Sequence, residues 1–339
     1  MDLSHILGRF PEVPKEAMRR VRSTSDGLIN ATWLVGDRFV LQRVNPLFGA
    51  EVNEDIQALT VCLRRADVPV PRLLLTSDDR PCVIEDGVWR VMTRLPGNTV
   101  HRVSEPRQAG SAARLIARFH GALEDSTHTF KFTRPGAHDT EAHMRTLADA
   151  VDAHPGHRLA EPVRPLAQEI LERWRGLPKP ETLPPRIVHG DLKISNVLFD
   201  ASNHAVGLID LDTMAWSDLE VELGDALRSW CSTTTEDAPN PELDVAIFEA
   251  AVTGYFEASP STSPSERRAV VRGLERITLE LAARFGADAL NERYFGWSED
   301  VAPTRGEHNL IRARNQLRLA RCITEVRPEL SAIAQTGGS

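Results

Sequence analysis

With 339 residues, 41% hydrophobic and 26% charged, the chain has a globular composition and room for one large domain or two joined lobes, which excludes disordered, collagen-like and disulfide-knot classes. Its formal charge of −8 gives no diffuse positive field, so nucleic acid and anionic membranes are excluded as default partners and any phosphate must be met locally. No apolar run approaches the roughly 18 residues of a membrane span, and the scattered cysteines (Cys62, Cys82, Cys231, Cys322) show no disulfide or metal-ligand pattern, which suits a cytoplasmic protein.

In chain order, a short helical opening leads to β-rich runs at 18–24 and 31–35 separated by SDGLIN, and Gly36-Asp37 turns into a third, RFVLQRV. Ile56, Leu59 and Leu63 recur at helical spacing over 50–66, and Pro69 and Pro71 close that helix. Strands over 72–76 and 88–95 complete the sheet, and Pro96-Gly97-Asn98 breaks it. Beyond the break the pattern is helical. Ser104 and Pro106 start a helix with Ala112, Leu115, Ile116, Phe119 and Leu123 on one face. Ser263-Pro264-Ser265-Glu266 has capping-box spacing ahead of Val270, Leu274, Ile277 and Leu281, and Leu310, Ala313, Leu317 and Ala320 begin a last helix. One β segment, 187–212, interrupts this half. The expected fold class is therefore α+β. A small antiparallel β-rich lobe with one helix covers 1–95, a hinge lies near 93–97, and a larger, mainly helical lobe covers 96–339.

The chemistry concentrates in that β segment, IVHGDLKISNVLFD followed by AVGLIDLDT. Asp191 precedes Lys193 by two residues and Asn196 by five, and an apolar strand then delivers Asp210. Phosphoryl transfer needs this set: a carboxylate to take a hydroxyl proton, hard oxygen ligands for a divalent metal, and positive charge near the moving phosphoryl group. Asp191 suits the first role, Asn196 and Asp210 the second, and Lys193 the third. Lysine is rare here, four among 40 basic residues, which adds weight to Lys193. The competing reading is an ordinary polar loop tied down by His189, with Asp210 capping a turn.

HGDLKISN with LIDLDT resembles the aminoglycoside phosphotransferase and choline kinase group. The resemblance extends through GLINATWLV, RFVLQRVN, GDALRS and HNLIRARNQLRL, which look most like N-acetylhexosamine 1-kinases. It implies a two-lobed protein-kinase-like fold, ATP and Mg2+ as cofactors, and a sugar or aminosugar as acceptor, phosphorylated on the anomeric hydroxyl of an N-acetylhexosamine. An antibiotic kinase of the same fold is the nearest alternative, and a nucleotide-binding pseudokinase the alternative of another class. A true protein kinase is disfavoured because neither DFG nor APE follows Asp210.

Further nucleotide contacts follow from the same resemblance. Gly27 lies in the first hairpin loop, where backbone N–H groups would cover phosphates. The family places a lysine on the third strand, but this strand reads Val40-Leu41-Gln42-Arg43, so either Arg43 substitutes or the phosphates are held without a strand cation. Glu51 or Glu54 would support that cation, and backbone groups near Thr93 and Leu95 would meet the adenine. For the acceptor, Arg228, ordered by Asp225, and His308, Asn309 and Arg312 are candidates, against the alternative of solvated helix faces. Six arginines against two glutamates between 305 and 327 argue for a neutral or anionic acceptor rather than a polycation.

Overall fold

The computed structural model describes residues 3–24 and 30–337. The Gly27 assignment lies outside them. Two short helices, α1 (Ser4–Leu7) and α2 (Lys15–Met18), precede β1 (Val21–Thr24), β2 (Ala31–Val35) and β3 (Phe39–Val44). Helix α3 (Val52–Arg65) separates these from β4 (Val83–Ile84) and β5 (Val88–Thr93). The five strands form one antiparallel sheet in the order β1-β2-β3-β5-β4. Met18 ends a helix instead of opening a strand. The expected strand over 72–76 reduces to a bridge between Leu73 and Met92, because Thr76 turns back to accept Arg80 and no further ladder can form.

Period-two alternation gives the sheet two unlike faces. Phe39, Leu41, Trp89 and Val91 point outward and are sealed by Leu3, Ile6, Leu7 and Phe10 from the N-terminal helices. The opposite face carries Gln42 and Arg90, which are register partners. Val52, Ile56, Leu59 and Leu63 bury the apolar stripe of α3 in the main core, each fully buried side chain contributing about 1.5–3 kcal/mol. Asp55, also on α3, accepts from His128 (2.8 Å) and from the N–H groups of Lys131 (3.0 Å) and Phe132 (2.9 Å). That bonding ties the sheet side to the 128–132 segment.

The remainder is mainly helical. After β6 (Asn98–Thr99) come α4 (Pro106–Ala122), α5 (Thr140–Ala153) and α6 (Ala160–Gly176), then β7 (Arg186–Val188), β8 (Val197–Phe199), β9 (Ala205–Leu208) and β10 (Ala215–Ser217). Helices α7 (Leu219–Trp230), α8 (Val245–Ala258), α9 (Pro264–Asn291) and α10 (Arg305–Thr336) complete the chain. Proline at the first position and a reciprocal Ser263/Glu266 capping box start α9, as the spacing predicts. Helices α7 and α9 meet backbone to backbone at Gly224 and Gly273, where any Cβ would collide with the neighbouring helix. A second apolar core unites α5, α6, α9 and α10. No helix among the described residues is long and apolar enough to cross a membrane.

Candidate active site

Strand β7 pairs with β10, β8 with β9 and β6, and the loops between them carry the signature residues. Gly190 has φ +79°, and a side chain there would run into the Thr213 carbonyl, so only glycine lets the chain turn before Asp191. The turn is anchored from below. The Glu222 carboxylate accepts the N–H groups of His189 (2.8 Å) and Gly190 (3.0 Å), and the His120 ring stands 3.3 Å away. Burial works against an ionised Glu222, but His120 and the His189 N–H outweigh it and hold the carboxyl below its ordinary range. His189 donates through Nε2 to the Ile209 carbonyl (2.9 Å), and the Ile209 N–H donates to the Asn196 carbonyl (3.0 Å). The 189–196 loop and the strand end before Asp210 are thereby joined directly. His189 has the tying role that its polar-loop reading assigned to it.

The loop brings three of the predicted residues to one place. Asn196 Nδ2 donates to the Asp191 carbonyl (2.7 Å) and to Asp191 Oδ2 (3.3 Å), while Lys193 Nζ lies 2.9 Å from the same oxygen. Asp191 Oδ1 has no hydrogen-bond partner among the described residues. Burial alone would depress the Lys193 ammonium, but Asp191, backed by Asp210 and Asp225, lifts it above its ordinary value, so it is charged at neutral pH. Asp210 sits in the left-handed region at φ +65°, a strained setting that aspartate tolerates better than most residues. Its carboxyl is raised, first by burial, then by the Asp212 and Asp191 carboxylates. Among the described residues no cation pairs with Asp210. A half-buried carboxylate without an ion-pair partner, set beside a free amide oxygen of Asn196, fits a hard divalent ion.

The sheet side of the junction departs from expectation. Arg43 faces outward, over the Trp89 ring at 5.6 Å and bonded to the Asp86 carbonyl (2.5 Å), with its side chain 42% exposed. Strand alternation puts it on the wrong face. The inward cation is Arg90, opposite Gln42. Its guanidinium donates to Gln42 Oε1 (2.7 and 2.9 Å), Asn53 Oδ1 (3.3 Å) and both oxygens of Asp212 (2.5 and 2.9 Å). Asn30 Nδ2 adds a bond to Asp212 (2.7 Å). Glu51 and Glu54 also fail as supports. Glu54 pairs with Lys131, and the α3 side chain that reaches the strand cation is Asn53. At 2% exposure Arg90 is consumed by these bonds. A signal was present in the sequence: one arginine inside the apolar run VWRVM, and a second aspartate two residues after Asp210.

At the hinge, Thr93 Oγ1 and its N–H engage Arg72, and the Arg94 N–H engages the Arg38 carbonyl, while the Leu95 N–H has no described partner. A cavity of about 470 Å³ adjoins this segment, but its lining of Arg64, Asp67, Val68, Arg72 and Arg94 includes no residue of the catalytic loop.

The family model described as "Phosphotransferase enzyme family" matches residues 20–260. The chain belongs to that family. Solved structures share its fold along nearly the whole length. An aminoglycoside phosphotransferase from Alicyclobacillus acidocaldarius is 15% identical with TM-score 0.60, covering 97% of this chain and 96% of its own. A choline/ethanolamine kinase family protein from Mesorhizobium loti is 16% identical with TM-score 0.55, covering 99% and 100%. An amicoumacin kinase in complex with AMP-PNP, Ca2+ and Ami is 10% identical with TM-score 0.57, covering 91% of each chain.

In this phosphotransferase the acceptor candidates are engaged with protein carboxylates. Arg228 is buried between Glu236 (2.9 Å) and Asp225 (3.3 Å). His308 (2.7 Å) and Arg312 (2.6 Å) both bond Asp237 Oδ1, and Asn309 donates to Asp288 (2.9 Å). With Asn315 holding the carbonyls of Thr235 and Ala238, these side chains strap the 232–241 loop to α7 and α10. Carboxylates hold these side chains, and the buried Arg228 Nε has no hydrogen-bond partner among the described residues. The surplus of arginine along α10 is partly neutralised: Arg312 pairs with Asp237, Arg321 with Glu169 and Arg327 with Glu275, whereas Arg305, Arg314 and Arg318 have no carboxylate within ion-pair distance among the described residues.

Proposed function

We propose that the chain is an ATP- and Mg2+-dependent small-molecule kinase that phosphorylates a sugar hydroxyl, the resemblance favouring the anomeric hydroxyl of an N-acetylhexosamine. The observation that carries this reading is the convergence of Asp191, Lys193, Asn196 and Asp210 on one loop pair. Asp191 Oδ2 is held by Lys193 and Asn196, which leaves Oδ1 to accept the acceptor's hydroxyl proton. The acceptor oxygen bonds to the γ-phosphorus as the β–γ bridge breaks, and Lys193 spreads the charge on the transferred group. Asn196 Oδ1 and Asp210 would hold the divalent ion, which when bound neutralises the polyphosphate. The amicoumacin kinase structure, with AMP-PNP and Ca2+, supports nucleotide and cation use on this fold.

The test is a purified-protein assay with Mg·ATP against free sugars, N-acetylhexosamines, aminoglycosides and amino alcohols, reading ADP release and placing the new phosphate by NMR. Phosphate at the anomeric position of an N-acetylhexosamine is the expected result. Turnover confined to aminoglycosides would replace the acceptor assignment. Asp191→Asn should lose roughly 10²–10⁴-fold in kcat while still binding ATP.

A further inference from the structure

We propose that a cavity lined by Arg134, Arg284 and Arg293 binds an anionic group, carboxylate or phosphate, carried by the acceptor. This rests on the kinase reading above and narrows its acceptor to a sugar that carries an acidic group besides the phosphorylated hydroxyl, a neutral N-acetylhexosamine being the weaker substrate.

The cavity holds about 310 Å³ between the 134–137 segment, α5, the last turns of α9 and the 293–295 loop, a size typical of small-molecule sites. Among the described residues none of the three guanidinium groups has a carboxylate within ion-pair distance, although the protein carries a net charge of −8 and most arginines around α9 and α10 are paired. The acidic lining residue is Asp288. Its carboxylate accepts the N–H groups of Arg293 (3.0 Å), Tyr294 (2.9 Å) and Phe295 (2.9 Å) and a bond from Asn309 (2.9 Å), so it orders the loop without pairing with an arginine side chain, and three guanidinium groups outnumber this one carboxylate. The forks are also held in place. Arg284 lies over the rings of Tyr294 (5.8 Å) and Phe295 (5.5 Å), and Arg134 over Phe48 (5.7 Å). Planar guanidinium groups fixed this way match the geometry of carboxylate and phosphate.

Position links the cavity to the chemistry. Arg284 follows Glu280 by one helical turn, about 6 Å along the axis. Glu280 bonds His138 (3.1 Å), and Arg276, one turn earlier on α9, bonds the His138 carbonyl (3.1 Å) and Glu220 (3.1 Å) of α7, the helix whose Glu222 holds the Gly190 turn (3.0 Å). Asp191 follows that turn directly. An acceptor whose hydroxyl meets Asp191 and whose body runs along α9 would bring a distal acidic group to the arginines. A polycationic acceptor would meet repulsion there.

The experiment compares kcat/KM for a hexuronate and a hexose 6-phosphate with that for a neutral N-acetylhexosamine and an aminoglycoside, in wild type and in Arg284→Gln and Arg293→Gln. Arg293 is exposed, so its variant keeps the test free of folding effects. The wild-type ratio of anionic to neutral acceptor should exceed one and fall roughly tenfold or more in each variant, the range expected for a lost charge-assisted bond. The two anionic arms show which group is read. A wild-type ratio below one, or ratios unchanged in both variants, would overturn the proposal. Calorimetric titration of hexose 6-phosphate without nucleotide tests the cavity alone, and equal affinity in wild type and Arg284→Gln would also overturn it. Failure of the kinase reading shows elsewhere, as undiminished turnover by Asp191→Asn.

Discussion

Two sides of one junction handle buried charge in opposite ways. On the sheet side, Arg90 and Asp212 are almost fully buried and satisfy each other, with Gln42, Asn53 and Asn30 closing the network. On the loop side, Asp191 keeps a free oxygen and Asp210, two residues before Asp212, has no ion-pair partner among the described residues. A satisfied buried network fixes geometry, whereas a charge left unsatisfied is available to a ligand. The pattern separates scaffold from site without reference to function.

The contrast can be broken experimentally, and the largest effect should come from the loop. Gly190→Ala, which forces the turn away from Thr213, should lower kcat by two or more orders of magnitude, in line with displacing the general base. The check is steady-state turnover beside an unchanged far-UV spectrum. Next, Arg90→Leu should cost about 3–5 kcal/mol in denaturant unfolding by stranding Asp212, while Arg90→Leu with Asp212→Leu recovers most of that loss. A double variant no better than the single would show that the pair does not act as a unit. Asp210→Asn, in contrast, should leave stability unchanged or raise it by less than about 1 kcal/mol, since it removes a repelled carboxylate, yet abolish Mg·ATP binding by calorimetry. Equal destabilisation by Asp210→Asn and Asp212→Asn would erase the distinction drawn above.

The smallest expected effect is on acid stability. Arg321, opposed by burial and assisted by Arg173, holds the Glu169 carboxyl down at about 2 from an ordinary 4.5. A depressed folded-state value means that the contribution is present above 4.5 and is lost as pH falls toward 2. Glu169→Gln should therefore flatten the fall of the urea midpoint across that window and change little at neutral pH.

The sequence made the 189–196 loop and its partner strand end legible because their parts are local. HGDLKISN and LIDLDT hold a glycine turn, a base, an amide and a second acid within twenty residues, spaced as strands and turns require. The α3 helix and the α9 cap were equally readable, from periodicity and from Ser263 and Glu266. The strand cation was misread. Arg43 and Gln42 are neighbours in sequence, and strand register, fixed by β5, decides that Gln42 faces the junction and that Arg90 supplies the charge.

Arginine accounts for the rest. By itself the sequence determined the α+β class, the phosphotransfer signature and the abundance of basic residues late in the chain, since each is a matter of composition or short-range spacing. Only tertiary structure decided which arginines are free. Pairing joins residues such as Arg312 to Asp237 and Arg327 to Glu275 across 75 and 52 positions, and charge neutralisation depends on distance in space, to which sequence separation gives no guide.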